Sequence, residues 1–327
     1  GQGLASAVGF AYAQRYMRGL FDPESPVGAS PFDHYVYCIA SEGDVQEGVT
    51  AEASALAGHQ ELGNLIVLWD RNHISIEEDT VVAFTEDVPA RYRAYGWDVQ
   101  HVDWTKTGNY VEDVQELYNA IERAKTVTDK PSFIEVRTII GYPAPNKQNT
   151  GSVHGSKLGA EEIVETKKIL GFDPEKSFFI EDEVLAHTRE LRERGAAAHK
   201  VWNEKFEAWA QANPERAKLY NRLVSGEMPV DYKAAFPVFE PGTSLATRAA
   251  SGKVINAIAD TFPELWGGSA DLAGSNLTTI NNAESFNPVS HSTEDWTGNP
   301  YGRVLHFGIR EQGAAAIVNG IVLSSPT

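Results

Sequence analysis

Long apolar runs are missing from this chain. No stretch reaches the roughly 18 consecutive apolar residues that a membrane-spanning helix needs, and nothing else in the sequence points to export, so no membrane partner and a cytoplasmic location are expected. Cysteine is nearly missing too: Cys38 stands alone among 327 residues. That excludes an intrachain disulfide and suits a reducing compartment. Cys38 falls inside an apolar run, where a buried inert thiol is expected rather than a nucleophile. Positive charge is scarce, with 28 Lys and Arg against 45 Asp and Glu and a formal net charge of −17. Such a balance excludes a broad nucleic-acid or anionic-membrane surface, while leaving room for a local basic pocket. No fixed-period repeat occurs. A chain of this length buries a large core and is expected to form two domains rather than one.

What is present alternates. Residues 34–40 (HYVYCIA) and 64–69 (NLIVLW) are short runs rich in β-branched and aromatic side chains, as buried parallel strands require. Between them, residues 47–62 carry Ala53, Leu56, Ala57 and Gln60 at helical spacing, which predicts a strand–helix–strand crossover. Further strands are predicted at 97–102 and 133–140, with helices at 4–18 and 111–124. The pattern implies an α/β fold, a parallel sheet with helices on both faces. Residues 141–157, rich in Gly, Pro, Asn and Ser, read as an ordered active-site loop. Residues 161–223 are mostly helical, and Trp202, Phe206 and Trp209 at i, i+4 and i+7 form a packing stripe. A boundary is predicted at 229–241. A second α/β pattern follows, with helices at 247–262 and 310–323, strands at 265–269 and 304–309, and a long surface loop at 280–301.

Two acid-bearing segments follow the first two strands: Ser-Glu-Gly-Asp-Val-Gln-Glu-Gly at 41–48 and Asp-Arg-Asn-His-Ile at 70–74. Ligands of open parallel sheets bind beyond the carboxyl ends of the strands, so both segments border one crevice. Glu42 offers a carboxylate, Asn72 an amide oxygen and Ile74 a main-chain carbonyl. These are the hard oxygen donors that Mg2+ takes alongside a phosphate. Gly43 lets the backbone approach a phosphate, and the helix after it offers free N–H groups. The same residues also suit an ordinary acid–glycine turn and an Asx turn; spacing alone leaves both open.

The wider pattern resembles the thiamine diphosphate signature, and transketolase in particular. Gly1-Gln2-Gly3, Glu47-Gly48, Asp70-x-Asn72-x-Ile74-Ser75-Ile76, Tyr95-Gly96-Trp97, Thr138-Ile139-Ile140-Gly141 and His154-Gly155 fall in that family's order. So do Ala246-Thr247-Arg248, the segment from Gly267 to Ala273 (GGSADLA), and Gly308-Ile309-Arg310-Glu311. The resemblance covers the whole chain. It implies that residues 1–228 form a diphosphate-binding domain lacking its amino-terminal part, with a helical connection at about 158–224. Residues 229–327 then begin a pyrimidine-binding domain that lacks its carboxyl-terminal part, and the fragment alone is expected to be inactive.

The implied chemistry is the reversible transfer of a two-carbon ketol unit from a ketose phosphate to an aldose phosphate, through the ylid of thiamine diphosphate. The resemblance implies a pentose phosphate pathway enzyme with Mg2+ or another divalent cation. Its partners are sugar phosphates and a second copy of the chain, with each site shared between subunits. Related alternatives are a dihydroxyacetone synthase or a 2-oxoacid dehydrogenase type of enzyme, or a non-catalytic scaffold of the same fold.

By the same resemblance, Glu311 holds a proton against the aminopyrimidine ring, although read alone it is a helix-start acid. His154 contacts the diphosphate and the substrate and exchanges protons. Arg248 and Ser275 bind the substrate phosphate, and Asp271 lies near the thiamine. Glu47 and Glu52 match acids near the subunit interface. In one place the chain departs from the family pattern: Glu42 stands where Asp is usual, which puts the first metal ligand in question between Glu42 and Asp44.

Overall fold

A computed structural model describes all of residues 1–327. The apolar runs become strands of a parallel sheet, each too short for a helix of its own; Leu65, Ile66, Val67, Phe133 and Ile134 are fully buried, whereas Tyr37 and Ile39 stay exposed, so the first run forms an edge strand rather than the buried one expected. Helix α1 (Gln2–Phe21) leads to β1 (Val36–Ala40), the short α2 (Glu42–Gln46), α3 (Gly48–His59) and β2 (Leu65–Arg71). A small hairpin of β3 (Ile74–Ser75) and β4 (Glu78–Asp79) follows, then α4 (Val88–Ala94), β5 (Asp98–Asp103), α5 (Val114–Thr126) and β6 (Ser132–Arg137). The strand order is β1-β2-β6-β5, all parallel. Helix α5 covers one face, setting Ala120 and Ala124 on Ile66, Val102, Ile134 and Val136. Helices α1, α3 and α4 cover the other, where Tyr92 stacks 3.7 Å from Phe133. The sheet therefore carries helices on both faces, as expected.

The predicted helical stretch is three helices: α6 (Ala160–Ile169), α7 (Asp182–Ala212) and α8 (Pro214–Ser225). The aromatic stripe on α7 does pack. Phe206 and Trp209 close on Phe21, Phe32 and Tyr220, while the indole N–H groups of Trp202 and Trp209 donate to the Pro31 and Phe21 carbonyls. No helix in the protein is long and apolar enough to cross a membrane.

Beyond residue 240 the elements are α9 (Thr247–Ile258), β7 (Gly267–Ser269), α10 (Ala273–Asn276), β8 (Ser285–Phe286), β9 (Gly298–Asn299), β10 (Val304–His306) and α11 (Glu311–Ser324). Their strands form a second parallel sheet, ordered β7-β10-β8-β9. One expectation fails here. Residues 280–301 are not simply a surface loop, because they supply β8 and β9, and Phe286 is fully buried against Tyr12 of α1. Two-residue strands set among Asn, Ser, Thr and Pro carry no periodic signal. The hairpin β3–β4 and helix α4 also went unread, being too short for a period to register.

The two sheets share a core through α1 and α11. Tyr16 stacks on Trp266 at 4.2 Å and its hydroxyl donates to the Pro263 carbonyl, while Ile317 and Ile321 of α11 join the cluster built by Leu4, Val8 and Ala11. The helices cross at glycine. A β-carbon added at Gly9 would lie 2.1 Å from the Ile317 carbonyl oxygen, and one at Gly320 would lie 2.1 Å from that of Ser6. We predict that Gly9→Ala and Gly320→Ala each destabilise the protein by about 1–3 kcal/mol through overpacking. Gly3→Ala, on the same α1 with open space around it, should stabilise by up to about 1 kcal/mol from helix propensity. Urea denaturation of the three variants measures the contrast in sign.

The seam holds a titratable contact as well. His59, at the end of α3, stacks on His291 at 4.5 Å, and the buried His291 Nδ1 has no partner. Burial lowers the His59 pKa; His291, Arg310 and His306 push it the same way, and Glu61 opposes them. A histidine lowered on folding keeps its full stability above the ordinary value of about 6.5, and loses it as pH falls from there toward the folded value. Thermal stability should therefore drop on acidification from about pH 7 to pH 5, and His59→Asn should flatten that slope. Equal slopes in parent and variant would contradict the assignment.

Candidate active site at the carboxyl ends of two sheets

Ser41 ends β1 and caps α2. Its main-chain N–H and its hydroxyl both donate to the Asp44 carboxylate, at 2.8 and 2.9 Å. That capping box turns Asp44 back onto the helix start and points Glu42, in the first turn, inward. Glu42 is only 4% exposed, and its Oε1 accepts the His73 N–H at 2.7 Å. Burial raises its pKa above the ordinary carboxylate value; hydrogen bonds from the His73 and Asn72 N–H groups and the charge of Arg71 oppose this, while Asp70 adds to it.

Asn72 lies just past the end of β2 and is buried. Its Oδ1 accepts the Ile74 N–H at 2.9 Å, and its Nδ2 approaches Asp70 Oδ2 at 3.4 Å. Asp70 in turn accepts the hydroxyl of Thr138, at the end of β6. Asp70 and Thr138 thus orient the Asn72 amide. Both stood in the quoted motifs without a role, since only the sheet register brings them together. Gly43 is open, with no atom within 4 Å of where a β-carbon would stand. The helix expected over 47–62 is α3, and ahead of it the acid-rich segment itself forms the one short turn of α2.

The donor set suits the group the sequence implies. One carboxylate, one amide oxygen and main-chain oxygens are what a hard divalent cation takes beside a diphosphate, and a cation beside Glu42 would reverse the effect of burial on its charge. His154 follows a short turn whose Gly151 N–H donates to Glu78 Oε2 of the hairpin at 2.8 Å. The loop is therefore tied to the element that carries Ile74, and His154 itself is exposed.

The remaining residues gather on the second sheet. Asp271 and Ser275 follow β7, Glu311 opens α11 after β10, and Arg248 lies in the first turn of α9, which packs beside α10. Asp271 takes a left-handed backbone, φ 63°, and the Ser275 hydroxyl donates to the Leu272 carbonyl. All four are exposed. No hydrogen bond or ion pair joins these four residues to Glu42, Asn72 or His154; the chain presents two groups, one beyond each sheet.

One contact that sequence reasoning missed links the two ends. Glu52 of α3 accepts the Gly313 N–H in the first turn of α11 at 2.7 Å. An i, i+5 spacing of acids on a helix, with Glu47 and Glu52, gave no sign of it. Glu47 stays largely exposed at the start of α3. A second feature had a signal: Glu135, an acid inside the apolar strand β6, is buried between Arg71 and His101.

Comparison with known proteins agrees along the whole chain. Residues 1–229 match the family described as transketolase, thiamine diphosphate binding domain, and residues 243–327 match transketolase, pyrimidine binding domain. The chain is 58% identical over 328 positions to the transketolase of Mycobacterium tuberculosis H37Rv, covering 100% of this chain and 46% of the relative. It is 43% identical to that of Geobacillus stearothermophilus, covering 99% and 46%. A crystal structure of Pichia stipitis transketolase in complex with sedoheptulose 7-phosphate superposes with a TM-score of 0.91 at 39% identity, covering 100% of this chain and 46% of that one. The chain thus spans about half the length of the relatives it matches. With both matched domains in the same order as the two sheets described above, the chain belongs to the transketolase family.

Proposed function

We propose that the full-length protein containing this segment is a transketolase, transferring a two-carbon ketol unit between sugar phosphates, with thiamine diphosphate and Mg2+ as cofactors. The observation that carries this is the buried Glu42 carboxylate, held on the His73 N–H beside the Asn72 amide beyond a parallel sheet, in a chain of this family. Residues 1–228 would form the diphosphate-binding domain and 229–327 would begin the pyrimidine-binding domain. Thiamine diphosphate, when bound, supplies the electron sink that carbon–carbon cleavage needs.

The chain's own residues do the rest. Glu42, Asn72 and the Ile74 carbonyl hold the cation, Gly43 leaves the diphosphate room, and His154 moves a proton at the substrate hydroxyl. Asp44 is committed to capping α2, which favours Glu42 as the ligand. Glu311 holds a proton against the aminopyrimidine ring, Asp271 flanks the thiamine, and Arg248 with Ser275 takes the sugar phosphate.

A homodimer completes this arrangement. Glu42, Asn72 and His154 of one chain face Glu311, Arg248 and Ser275 of its partner, which would bury the acid that stands exposed in a single chain. A cytoplasmic location fits Cys38, whose thiol burial pushes up to about 11, out of reach of ordinary oxidation.

Four outcomes are expected of the full-length protein. Without cofactors at neutral pH, Glu42→Gln should melt no lower than the parent, because a carboxylate raised on folding costs stability once pH exceeds its ordinary value of about 4.3. The rise in Tm on adding Mg2+ and thiamine diphosphate should shrink with a loss of at least about tenfold in cation affinity, read by calorimetry. In a ketol-transfer assay with ribose 5-phosphate as acceptor, Glu311→Gln should lower kcat by about 10²–10⁴-fold. Arg248→Ala should act mainly on KM, raising it by about tenfold or more. Absence of ketol transfer by the parent protein would sink the proposal.

A further inference from the structure

A cavity of about 540 Å³ lies at the end of the first sheet opposite Glu42 and Asn72. Its walls come from the residues just ahead of β1, β2 and β6, among them His34 and Asn64, and from Ser290 and Tyr301 of the second unit. The seven residues of β2, at about 3.3 Å each, set it roughly 20 Å from Glu42. Nothing assigned to the proposed reaction reaches it. Its volume falls within the range of small-molecule sites, and it opens where two folded units meet, which is where such sites concentrate.

Two arginines of α1 define its chemistry. Arg18 is 5% exposed; its Nε pairs with Asp33 at 2.8 Å and its Nη2 donates to the Ser25 carbonyl. Its Nη1, buried, has no hydrogen-bond partner, and the nearest carboxylate oxygen, on Asp22, is 3.9 Å away. Arg15 has no carboxylate partner. Its two terminal nitrogens donate to the carbonyls of Gln60 and Glu61, which close the end of α3, and its guanidinium stands 6.0 Å from the Phe286 ring. A guanidinium carries five N–H donors, so Arg15 keeps three unspent while part of its surface stays open. Burial pushes its pKa down to about 10, and Tyr12, Tyr301 and Glu61 offset only part of that. A cation surrounded by protein and served only by carbonyls is stabilised by an anion in the adjoining space.

Asp33, Glu61 and Asp129 also line the cavity, and Asp33 is spent on Arg18 and on the N–H groups of Gly28 and Ser30. Asp129 is exposed and its charge is largely screened by water and salt. Glu61 already draws on the same guanidinium from a distance, and it can accept hydrogen bonds from hydroxyl groups. A bare anion is thus less suited to the space than an anion carrying hydroxyls.

We propose that this cavity is a second ligand site, taking a small hydroxylated metabolite whose oxyanion group, phosphate or carboxylate, forks onto Arg15 while its hydroxyls face Glu61, Asn64 and Ser290. Such a ligand touches both units and braces the seam from the side away from the cation site.

The test is calorimetric titration of the full-length protein, saturated with Mg2+ and thiamine diphosphate and carrying Arg248→Ala to remove the phosphate position of the proposed active site. Glycerol 3-phosphate and glycerate are the two probes, and they separate a phosphate ligand from a carboxylate one. Saturable binding of either at about millimolar Kd is expected. Arg15→Gln should weaken it at least about tenfold, and Arg15→Lys should retain more of it than Gln does. Ser290→Asp, on an exposed wall residue that α1 packing does not need, should weaken it by charge repulsion even if Arg15 variants fold poorly. Binding of neither probe, or binding unchanged by both Arg15→Gln and Ser290→Asp, would overturn the assignment. Loss of ketol transfer leaves these titrations readable, so failure of the active-site proposal is distinguishable from failure of this one.

Discussion

Everything in the fold is referred to the crossing of α1 and α11. Side chains there are removed, not added: Gly9 and Gly320 let two backbones approach within van der Waals distance, and the small residues around them continue the fit. Close approach lets one helix serve two sheets. From α1, Tyr12 and Tyr16 reach Phe286 and Trp266 beyond it, while Leu4, Val8 and Ala11 lie in the one cluster that also holds Val36, Leu65 and Val67 of the first sheet. Without that crossing the two units would have separate, smaller cores, each with a worse ratio of buried to exposed surface.

Electrostatics at the first sheet follow from the same economy. Glu42 is buried by the turn that caps α2, and the cost of burying a carboxylate is met only in part by two main-chain N–H groups and a neighbouring arginine. A polar site left short of compensation is a site prepared for a positively charged partner. The Glu42 carboxylate lies against the His73 N–H at 2.7 Å, which fixes where its charge sits.

How much of this was legible follows from the length of each signal. The strands at 36–40, 65–71 and 132–137 stood out because continuous β-branched runs leave no helical stripe. The end of β6 was overread to Ile140, since Thr-Ile-Ile continues the pattern while the chain has already turned. Phe286, fully buried, was lost inside a segment of loop composition, because two residues cannot show a period. Glu42, Asn72 and His154 were readable as a set only through motif order. Asp70, Thr138, Glu52 and Arg15 act across 45 to 261 residues of chain, and such pairs exist only once the sheet register and the helix crossing are fixed.

The hydrogen bond from Gly313 to Glu52 has a consequence for variation across the family. It pins the first turn of α11, and so Glu311, to α3, whose start is set by the turn that buries Glu42. The two ends of one chain therefore share a common datum. A change in side-chain length at position 42 that shifts α3 by a fraction of an ångström displaces the acid at 311 in the same direction. Substitutions around 42–52 and 311–314 should consequently be inherited as correlated sets, and a residue grafted at position 42 from a distant relative should need its matching α11 start to be tolerated.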